Sequence, residues 1–274
     1  MTSLERVARR TASAEPSALF ALVVDTRTVM WAELLKVRHD PWELVTRAIQ
    51  PILWLLVFGQ VLARARAIPT GSLPYLDYLA PGILAQSALF SAILYGIAVI
   101  WERDLGVVHK LLVSPASRVS LVLGKSLAGG LRALTQAATV FVVSLLIGID
   151  VRVDPLSILG VAVVVVLGAS LFSAFSMIIA CIVRSRERFM GIGQVMTMPL
   201  FFASSAIYPI ALMPEWLKAV AIVNPLTYMV DSIRSLMIAG AAATVSIPVD
   251  LAVLVVGLSG LVVIGARLYP RLAQ

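Results

Sequence analysis

The chain has 274 residues, of which 60% are hydrophobic and 14% are charged, and its net charge is +7. A soluble domain is typically about 45–50% apolar and about 25% charged, so this composition indicates a membrane protein. The basic residues lie between apolar runs without interleaved aromatic residues, so we expect no nucleic-acid partner. The single cysteine, Cys181, excludes an internal disulfide and a cysteine-only metal site.

Residues 1–43 are predicted to form a cytosolic tail that leads into an interfacial helix. The apolar run 17–24 is short and is followed at once by Asp25, a pattern unlike that of a signal peptide. Farther on, the segment TVMWAELLKVR (28–38) places most of its apolar residues on one helical face, with Glu33 opposite. This pattern is typical of an amphipathic helix at a membrane surface, and a disordered tail is the alternative.

Apolar runs without charged residues organise the rest of the chain and predict six transmembrane helices. A span needs about 20 mostly apolar residues, and the runs at 48–63 and 251–266 are slightly shorter. Arg47 and Arg267 at their ends can extend to the lipid headgroups and complete these spans. The predicted spans are about 44–63, 79–101, 125–149, 155–183, 189–210 and 250–267. The whole chain, 1–274, is predicted to be one transmembrane domain.

The distribution of basic residues predicts the orientation. In a six-span topology, most of the 22 Lys and Arg residues fall on the side that carries the N-terminus. The positive-inside rule therefore places both termini in the cytoplasm. The loop between spans two and three is then cytosolic, and the loop between spans five and six faces outward.

The cytosolic loop WERDLGVVHKLLVSPASR (101–118) is predicted to contain a short amphipathic helix over 102–113. Its ends and edges are charged, and Ser114-Pro115 stops it. One face at helical spacing is apolar: Leu105, Val108 and Leu112. Such a helix either anchors the loop at the membrane or docks a soluble partner.

The outward loop is predicted to form two short helices. Pro214-Glu215 and Asn224-Pro225 have the features of helix starts, since proline suits the first turn and asparagine caps it. Helices of about 8–14 residues are too short to cross the bilayer, so we expect them to dip into or lie on the outer leaflet. Asp231 and Arg234 are spaced to form an exposed ion pair on the second helix.

Motifs for catalysis are incomplete. Gly124-Lys125-Ser126 is similar to the end of a phosphate-binding loop, but Val119 stands where that motif needs its first glycine. Gly257-Leu258-Ser259-Gly260 is similar to the serine motif of an intramembrane protease, but no histidine within the spans can act as the base. His109 has no second ligand at metal-binding spacing. We therefore expect no enzyme activity, no cofactor and no metal in this chain.

Ion-coupled secondary transport is an alternative class of function. Such transporters use acidic residues near the bilayer midplane to carry a proton or sodium ion. The predicted spans contain glutamines but no mid-span Asp or Glu. The energy for transport must then come from another source.

Two blocks of sequence carry a resemblance to a known family. The first is ERDLGVVHKLLVSPASR with the downstream LVLGKSLAGGLRALTQA. The second is SRERFMGIGQVMTMPLFFASSAIYPIALMPEWLKAVAIVNPLTYMVDSIRSLM. On these blocks the chain resembles permease subunits of ABC-2 type transporters, in the antibiotic and multidrug export branch typified by daunorubicin resistance.

The resemblance implies an all-α integral membrane protein with the type V ABC exporter fold. That fold has six transmembrane helices, an N-terminal amphipathic connecting helix, a cytosolic coupling helix between spans two and three, and two short outward re-entrant helices between spans five and six. The implied function is export of drugs, antibiotics or lipids across a bacterial plasma membrane. Two permease chains would bind two copies of a separate ATP-binding subunit, which would hold ATP and Mg. A polysaccharide or glycolipid substrate is the alternative within the family.

Three sets of site residues follow. The resemblance assigns coupling to the ATP-binding subunit to Glu102, Arg103, Asp104, Leu105, Gly106, Val108, Lys110 and Leu112. It assigns the outward helices to Pro209, Pro214, Asn224, Pro225, Tyr228, Asp231 and Arg234. Aromatic residues and glutamines within the spans favour a hydrophobic or amphipathic substrate, with a candidate path along Trp54, Phe58, Gln60, Gln86, Phe90 and Gln194.

Overall fold

A computed structural model describes residues 18–37, 49–66, 68–183 and 185–273 of the chain. The predicted tail before residue 18 and the start of the first predicted span, 44–48, lie outside these residues. The described residues form the following helices: α1 (Ala18–Val37), α2 (Ile49–Ala65), α3 (Tyr75–Asp104), α4 (Val107–Val113), α5 (Arg118–Ile147), α6 (Pro155–Ile182), α7 (Arg186–Phe202), α8 (Glu215–Val223), α9 (Pro225–Met237) and α10 (Ile247–Leu268). Short 3-10 turns follow at Ile210–Leu212 and Tyr269–Ala273.

The prediction of an all-helical membrane protein is confirmed. In the described ranges, extended pairing is limited to one bridge between Val151 and Ile238. Four helices are long and apolar enough to cross a membrane: α3, α5, α6 and α10 with its 3-10 extension. They correspond to the predicted spans two, three, four and six.

The other two predicted spans correspond to shorter helices. The described part of span one is α2, an apolar helix with a π-helical segment at Trp54–Gly59. Span five corresponds to α7, whose 17 residues lie at the lower limit of about 17–25 for a crossing helix. The helix α7 ends at Phe202, whereas span five is predicted to end at 210. After Phe202 the chain turns toward α8. The count of six spans therefore stays a prediction.

Side-chain caps define where several helices begin. The Ser117 hydroxyl accepts a hydrogen bond from the Ser120 N–H at 3.1 Å at the start of α5. At the start of α6, the Asp154 carboxylate accepts one from the Ser157 N–H at 2.9 Å, and this bond holds the pKa of Asp154 below its ordinary value. Such caps satisfy backbone N–H groups that have no partner inside the helix. They fix the first residue of two bundle helices.

The helix α6 lies at the centre of the bundle, where it packs against α3, α5, α9 and α10. Small and apolar residues on α6 are buried there, including Ala169, Phe172 and Ala174. Small residues allow helices in a membrane to approach closely. Van der Waals packing between them then stabilises the bundle, because lipid provides no hydrophobic driving force for helices to associate. The helices α2 and α7 pack along α3 at the side of this bundle.

The N-terminal helix α1 begins earlier than the segment 28–38 predicts and packs along α5. Residues 18–37 are helical, so the disordered alternative is wrong for this segment. Its outward face is apolar, with Leu19, Phe20 and Trp31 all exposed. Glu33, by contrast, is buried on the face toward α5. An apolar outward face suits a helix at a membrane surface.

Candidate functional site

The segment between α3 and α5 forms a corner, so the prediction of one helix over 102–113 is wrong. The helix α3 continues through Asp104, and α4 begins only at Val107. Between them Gly106 has a φ of 72°, a left-handed conformation that strains any residue with a Cβ. A Cβ at Gly106 would meet open space, so this glycine makes the corner rather than a close packing contact.

The faces of α4 also differ from the prediction. Val108 is fully buried inside the chain, and Leu112 packs partly against the core. The prediction that Val108 contacts a partner is therefore wrong, because its side chain packs inside the bundle. Leu105 at the corner is 71% exposed, and Lys110 is exposed on α4. The helix ends at Val113, in agreement with the predicted stop at Ser114-Pro115.

Lys125 on α5 contacts two carboxylates inside the protein. Its Nζ lies 2.6 Å from Oε1 of Glu33 on α1 and 2.5 Å from Oε2 of Glu102 near the end of α3. The Lys125 side chain is 1% exposed, and both carboxylates are largely buried. Removing an ion from water costs several kcal/mol, so these side chains are stable here because opposite charges meet.

Arg132 is a second basic residue beside this group. Its guanidinium donates to the backbone oxygen of Glu33 at 2.8 Å and lies 3.9 Å from the Glu33 carboxylate. It also lies 5.2 Å from the centre of the Tyr95 ring on α3. Two acidic and two basic side chains thus join three helices. We call Glu33, Glu102, Lys125 and Arg132 the charge junction.

Gly124 explains how α1 comes close enough to reach Lys125. A Cβ at Gly124 would lie 2.8 Å from the Thr26 backbone oxygen and 2.8 Å from the Val29 Cβ, so only glycine fits without a shift of α1. The next residue, Lys125, then meets Glu33 directly. Ser126 donates to the Val122 oxygen at 2.8 Å within α5. The partial phosphate-loop motif is therefore part of a helix and a packing contact.

A second, more exposed cluster links the end of α3 to the start of α7. Arg103 and Arg186 both contact the Asp104 carboxylate, at 2.9 Å and 2.7 Å. The Arg186 guanidinium also lies 3.7 Å from the centre of the Trp101 ring. Asp104 and Arg186 are each 36% exposed, and such pairs contribute only about 0–1 kcal/mol. We therefore regard this cluster as orienting the corner rather than stabilising it.

At the opposite end of α3, the predicted exposed pair of Asp231 and Arg234 is wrong. Both side chains are buried, and each bonds to a different part of the described chain. Arg234 donates to the backbone oxygens of Ser205 at 2.6 Å and Tyr78 at 3.3 Å. Asp231 accepts from the backbone N–H groups of residues 244 and 245, which lie just before α10. Burial lowers the pKa of Arg234, while Tyr78 and Asp231 oppose the shift.

The two predicted short helices are present as α8 and α9, with 9 and 13 residues. Pro225 occupies the first turn of α9, as predicted, whereas Pro214 lies just before α8 and Glu215 is its first residue. Tyr228 donates to the Ile222 oxygen at 2.7 Å and ties the two helices together. Pro209 precedes the 3-10 turn between α7 and α8.

Asn224 joins three chain segments at this end. Its Oδ1 accepts from the Leu226 N–H at 3.0 Å and caps α9. Its Nδ2 donates to the oxygens of Leu200 at 2.7 Å and Ala203 at 2.8 Å, at the end of α7. The sequence predicts the cap alone, because the two acceptors are more than 20 residues away. We call this set of bonds the Asn224 clasp.

The candidate substrate residues fall into separate places. Gln86 and Phe90 line a pocket between α2, α3 and α5. Trp54 stacks edge-on against Phe58, with ring centres 4.6 Å apart, and also contacts Phe201 on α7. Gln60 on α2 and Gln194 on α7 belong to neither group, and Gln194 is exposed. The structure thus brings these residues together as two pairs.

Sequence reasoning does not single out Glu33, Lys125 or Arg132 as site residues. The available signal is charge at or near an apolar span, since ionisable residues in such positions are usually functional. Lys125 stands at the start of a predicted span, and Glu102 directly follows another. The pairing itself is not visible in the sequence, because Lys125 and Glu33 are 92 positions apart.

Comparison with known proteins agrees with this architecture. Residues 24–238 match the family model of the ABC-2 type transporter. The chain is 27% identical over 208 residues to the putative transport permease ycf38 of Cyanophora paradoxa, covering 74% of this chain and 70% of that protein. It is 26% identical over 234 residues to the daunorubicin resistance ABC transporter permease protein DrrB1 of Streptomyces coeruleorubidus, covering 85% and 78%.

The probable doxorubicin resistance ABC transporter permease protein DrrC of Mycobacterium tuberculosis (strain CDC 1551 / Oshkosh) is also similar, at 23% identity over 193 residues, with 70% of this chain and 69% of that protein covered. The family match covers well over half of the chain and confirms the resemblance carried by the two sequence blocks. The chain therefore belongs to the ABC-2 type transporter family, as a multi-pass membrane permease subunit of a kind that works with an ATP-binding subunit.

Proposed function

We propose that this permease exports drugs, antibiotics or lipids across the plasma membrane, driven by ATP that a separate subunit hydrolyses. The observation that carries this proposal is the corner at Gly106, where an exposed docking surface adjoins the buried charge junction. The names of similar proteins, which include daunorubicin and doxorubicin resistance permeases, support the drug substrate. ATP and Mg belong to the partner subunit in this scheme.

The docking surface consists of the exposed residues Leu105, His109, Lys110 and Val113. Leu105 supplies an apolar anchor that is not used within the chain. Val108, on the opposite face of α4, holds this helix against the bundle. A movement of the ATP-binding subunit is then passed to α3, since Glu102 lies three residues before Leu105.

From Glu102 the movement passes through Lys125 to α5 and through Glu33 to α1. Buried ion pairs suit this role because separating them leaves a charge without a partner, so the three helices move together. Coupling needs no catalytic group in this chain. It needs rigid links between the docking surface and the spans.

The second permease chain is proposed to pack against the side formed by α2 and α7. These two helices expose large apolar side chains: Leu53, Val57, Val61, Met190, Val195 and Phe202. An exposed apolar surface of this kind is covered by lipid or by another protein in a membrane. A dimer with two bound ATP-binding subunits places two copies of this surface beside one transport path.

The test uses the permease with its ATP-binding subunit in proteoliposomes, with daunorubicin as a fluorescent probe. We expect ATP-dependent movement of daunorubicin by the complex and no ATP hydrolysis by the permease alone. Leu105→Asp should lower co-purification of the ATP-binding subunit at least about tenfold, because a charge would enter an apolar contact. Val153→Asp is the matched control, since Val153 is 62% exposed in the loop between α5 and α6.

The proposal is wrong if Leu105→Asp retains both the partner subunit and transport. It is also wrong if the purified permease hydrolyses ATP by itself. Loss of the partner in both Leu105→Asp and Val153→Asp would indicate a general folding defect and would contradict the assignment of the docking surface.

A further inference from the structure

A polar pocket lies among the apolar helices, well away from the corner. It lies between α2, α3 and α5, and its lining includes Gln50, Gln86, Ser87, Phe90, Ser91 and Gln136. We propose that this pocket binds an uncharged hydroxyl or amide group of an amphipathic substrate. The proposal rests on the proposed export function and specifies the chemistry by which a substrate is selected.

Placing polar groups among these apolar helices has a cost in free energy. The lining residues belong to runs without any charged residue, in helices whose other side chains are mostly apolar. A buried amide without a hydrogen bond costs roughly 1–3 kcal/mol in proteins. Gln86 is 5% exposed, and its side chain lines the pocket. A polar group of a ligand in the pocket would offset this cost for Gln86.

Two of the groups that line the pocket lack hydrogen-bond partners among the described residues. Among the described residues, the Gln86 amide makes no hydrogen bond, although the side chain is 95% buried. Ser87 shows the usual arrangement for a serine in a helix, because its hydroxyl donates to the Leu84 oxygen at 2.7 Å. Ser91, one turn farther along α3, makes no such bond within the described chain. Both free groups are thus available to a ligand.

These polar groups face the same pocket. Residues at i and i+4 lie above one another on a helix, which places Gln86 above Phe90 and Ser87 above Ser91. Gln50 comes from α2 and Gln136 from α5, so polar groups approach the pocket from three helices. Phe90 adds an aromatic surface beside the amides. This combination fits a ligand with an apolar body and a neutral polar group.

The charge of the pocket restricts the class of ligand. A glutamine amide both donates and accepts hydrogen bonds, as does a serine hydroxyl. No charged side chain is among the described residues that line the pocket. A cation or anion would therefore meet no counter-charge among the described lining residues, and removing an ion from water costs several kcal/mol. A hydroxyl or amide group meets matching partners at no such cost.

A second groove in the bundle provides a contrast. It lies between α6, α7, α9 and α10, and its lining includes Leu171, Phe172, Val256 and Leu261. Because this groove is apolar, it offers no hydrogen bond that could distinguish one amphipathic compound from another. Selection by a polar group belongs to the pocket around Gln86.

The test compares two probes with the same apolar body, 1-pyrenebutanol and 1-butylpyrene, which differ in one hydroxyl. Binding to the permease complex in nanodiscs is measured by energy transfer from tryptophan to pyrene, with empty nanodiscs subtracted. A net hydrogen bond corresponds to roughly a 3- to 10-fold preference for the alcohol. Gln86→Leu should bring this ratio to about one, and Ser91→Ala should reduce it.

Ser259→Ala is the matched control, because Ser259 is exposed on α10 and donates to the Val255 oxygen within its own helix. It should keep the wild-type ratio. Each variant should co-purify with the ATP-binding subunit and elute in size-exclusion chromatography like the wild type, which shows that the complexes are assembled.

A wild-type ratio near one means that the pocket holds only water and overturns the proposal. An unchanged preference in Gln86→Leu also overturns it. ATP-dependent transport of the probes is measured separately. Failure of transport with a retained binding ratio contradicts the export function and supports the pocket, so the two failures are distinguishable.

Discussion

Lys125 is the residue on which the charge junction depends. Its Nζ is shared between Glu33 and Glu102, and its side chain is 1% exposed. Without this ammonium group, Glu33 and Glu102 lose the cation that they share in a buried site. Breaking a buried pair by removing one partner typically costs about 3–5 kcal/mol.

We predict that Lys125→Met lowers the free energy of unfolding by about 3–5 kcal/mol, measured by chemical denaturation in detergent. Lys218→Met is the matched control, since Lys218 pairs with Glu215 on the surface of α8 and should change stability by no more than about 1 kcal/mol. Equal effects of the two substitutions would contradict a stabilising role for the junction.

The double variant Lys125→Met/Glu102→Gln tests transmission separately from stability. It removes one charge of each sign and leaves Glu33 with Arg132, so the buried group stays balanced. We expect this variant to recover most of the lost stability while its ATP-driven transport stays low, because α3 and α5 are no longer joined by an ion pair. Full recovery of transport would show that the junction only stabilises the fold.

The sequence predicts the identity of several important residues but not their contacts. Gly106 is expected to sit in a helix, yet its positive φ makes the corner, and a backbone conformation of this kind is set by the elements on both sides. Arg234 is expected on a surface, yet it bonds to Tyr78 on α3, which is 156 positions away. Helical spacing reports neighbours within one helix, so it cannot show contacts between distant helices.

At the scale of elements, the ends of α7 and α9 depend on one another through the Asn224 clasp. The carbonyl groups at the end of a helix have no partner inside it and need one from outside. The Asn224 amide provides two such bonds to α7 while its oxygen caps α9. The clasp therefore couples the end of one helix to the start of another.

We predict that Asn224→Asp weakens the end of α7 more than the start of α9. Aspartate still accepts from the Leu226 N–H, but it has no N–H group for the Leu200 and Ala203 oxygens. Each unsatisfied buried acceptor costs roughly 1–3 kcal/mol. Hydrogen exchange should accelerate at the end of α7, while the first turn of α9 keeps its protection.

Ser117→Ala provides the control for loss of a simple cap. Ser117 caps α5 alone, so this variant should affect the first turn of α5 and leave α7 unchanged. Unchanged exchange at the end of α7 in Asn224→Asp would show that the two bonds to α7 do not hold it.

Helix positions follow from the apolar runs, whereas helix ends do not. The runs end at charged residues, so the second span is expected to end at 101 and the third to begin at 125. In the structure, α3 continues to Asp104 and α5 begins at Arg118. The helices are longer because Lys, Arg and Glu are good helix formers, so a charged residue ends an apolar run without ending the helix. The ends are set by the corner at Gly106 and by the Ser117 cap.

At the scale of the whole molecule, the corner and the Asn224 clasp lie at opposite ends of the bundle. The helix α3 runs from Tyr78, which contacts Arg234, to Asp104, which contacts Arg186. The helix α7 runs in the opposite direction, from Arg186 to the clasp. The docking surface and α8 are therefore separated by the length of the bundle, as a transporter with one cytosolic face requires.

This arrangement gives a direct test of orientation. Two variants, His109→Cys and Glu215→Cys, are each made in a Cys181→Ser background. We predict that their cysteines react differently with an impermeant maleimide added to intact cells. Both positions are exposed, so access to the reagent is decided by the membrane rather than by the fold. The positive-inside rule places residue 109 in the cytoplasm, so only residue 215 should be labelled. Permeabilised cells provide the control, because both positions should react there. Labelling of residue 109 in intact cells would show that the topology is reversed. The docking surface would then lie on the side of the membrane that has no ATP.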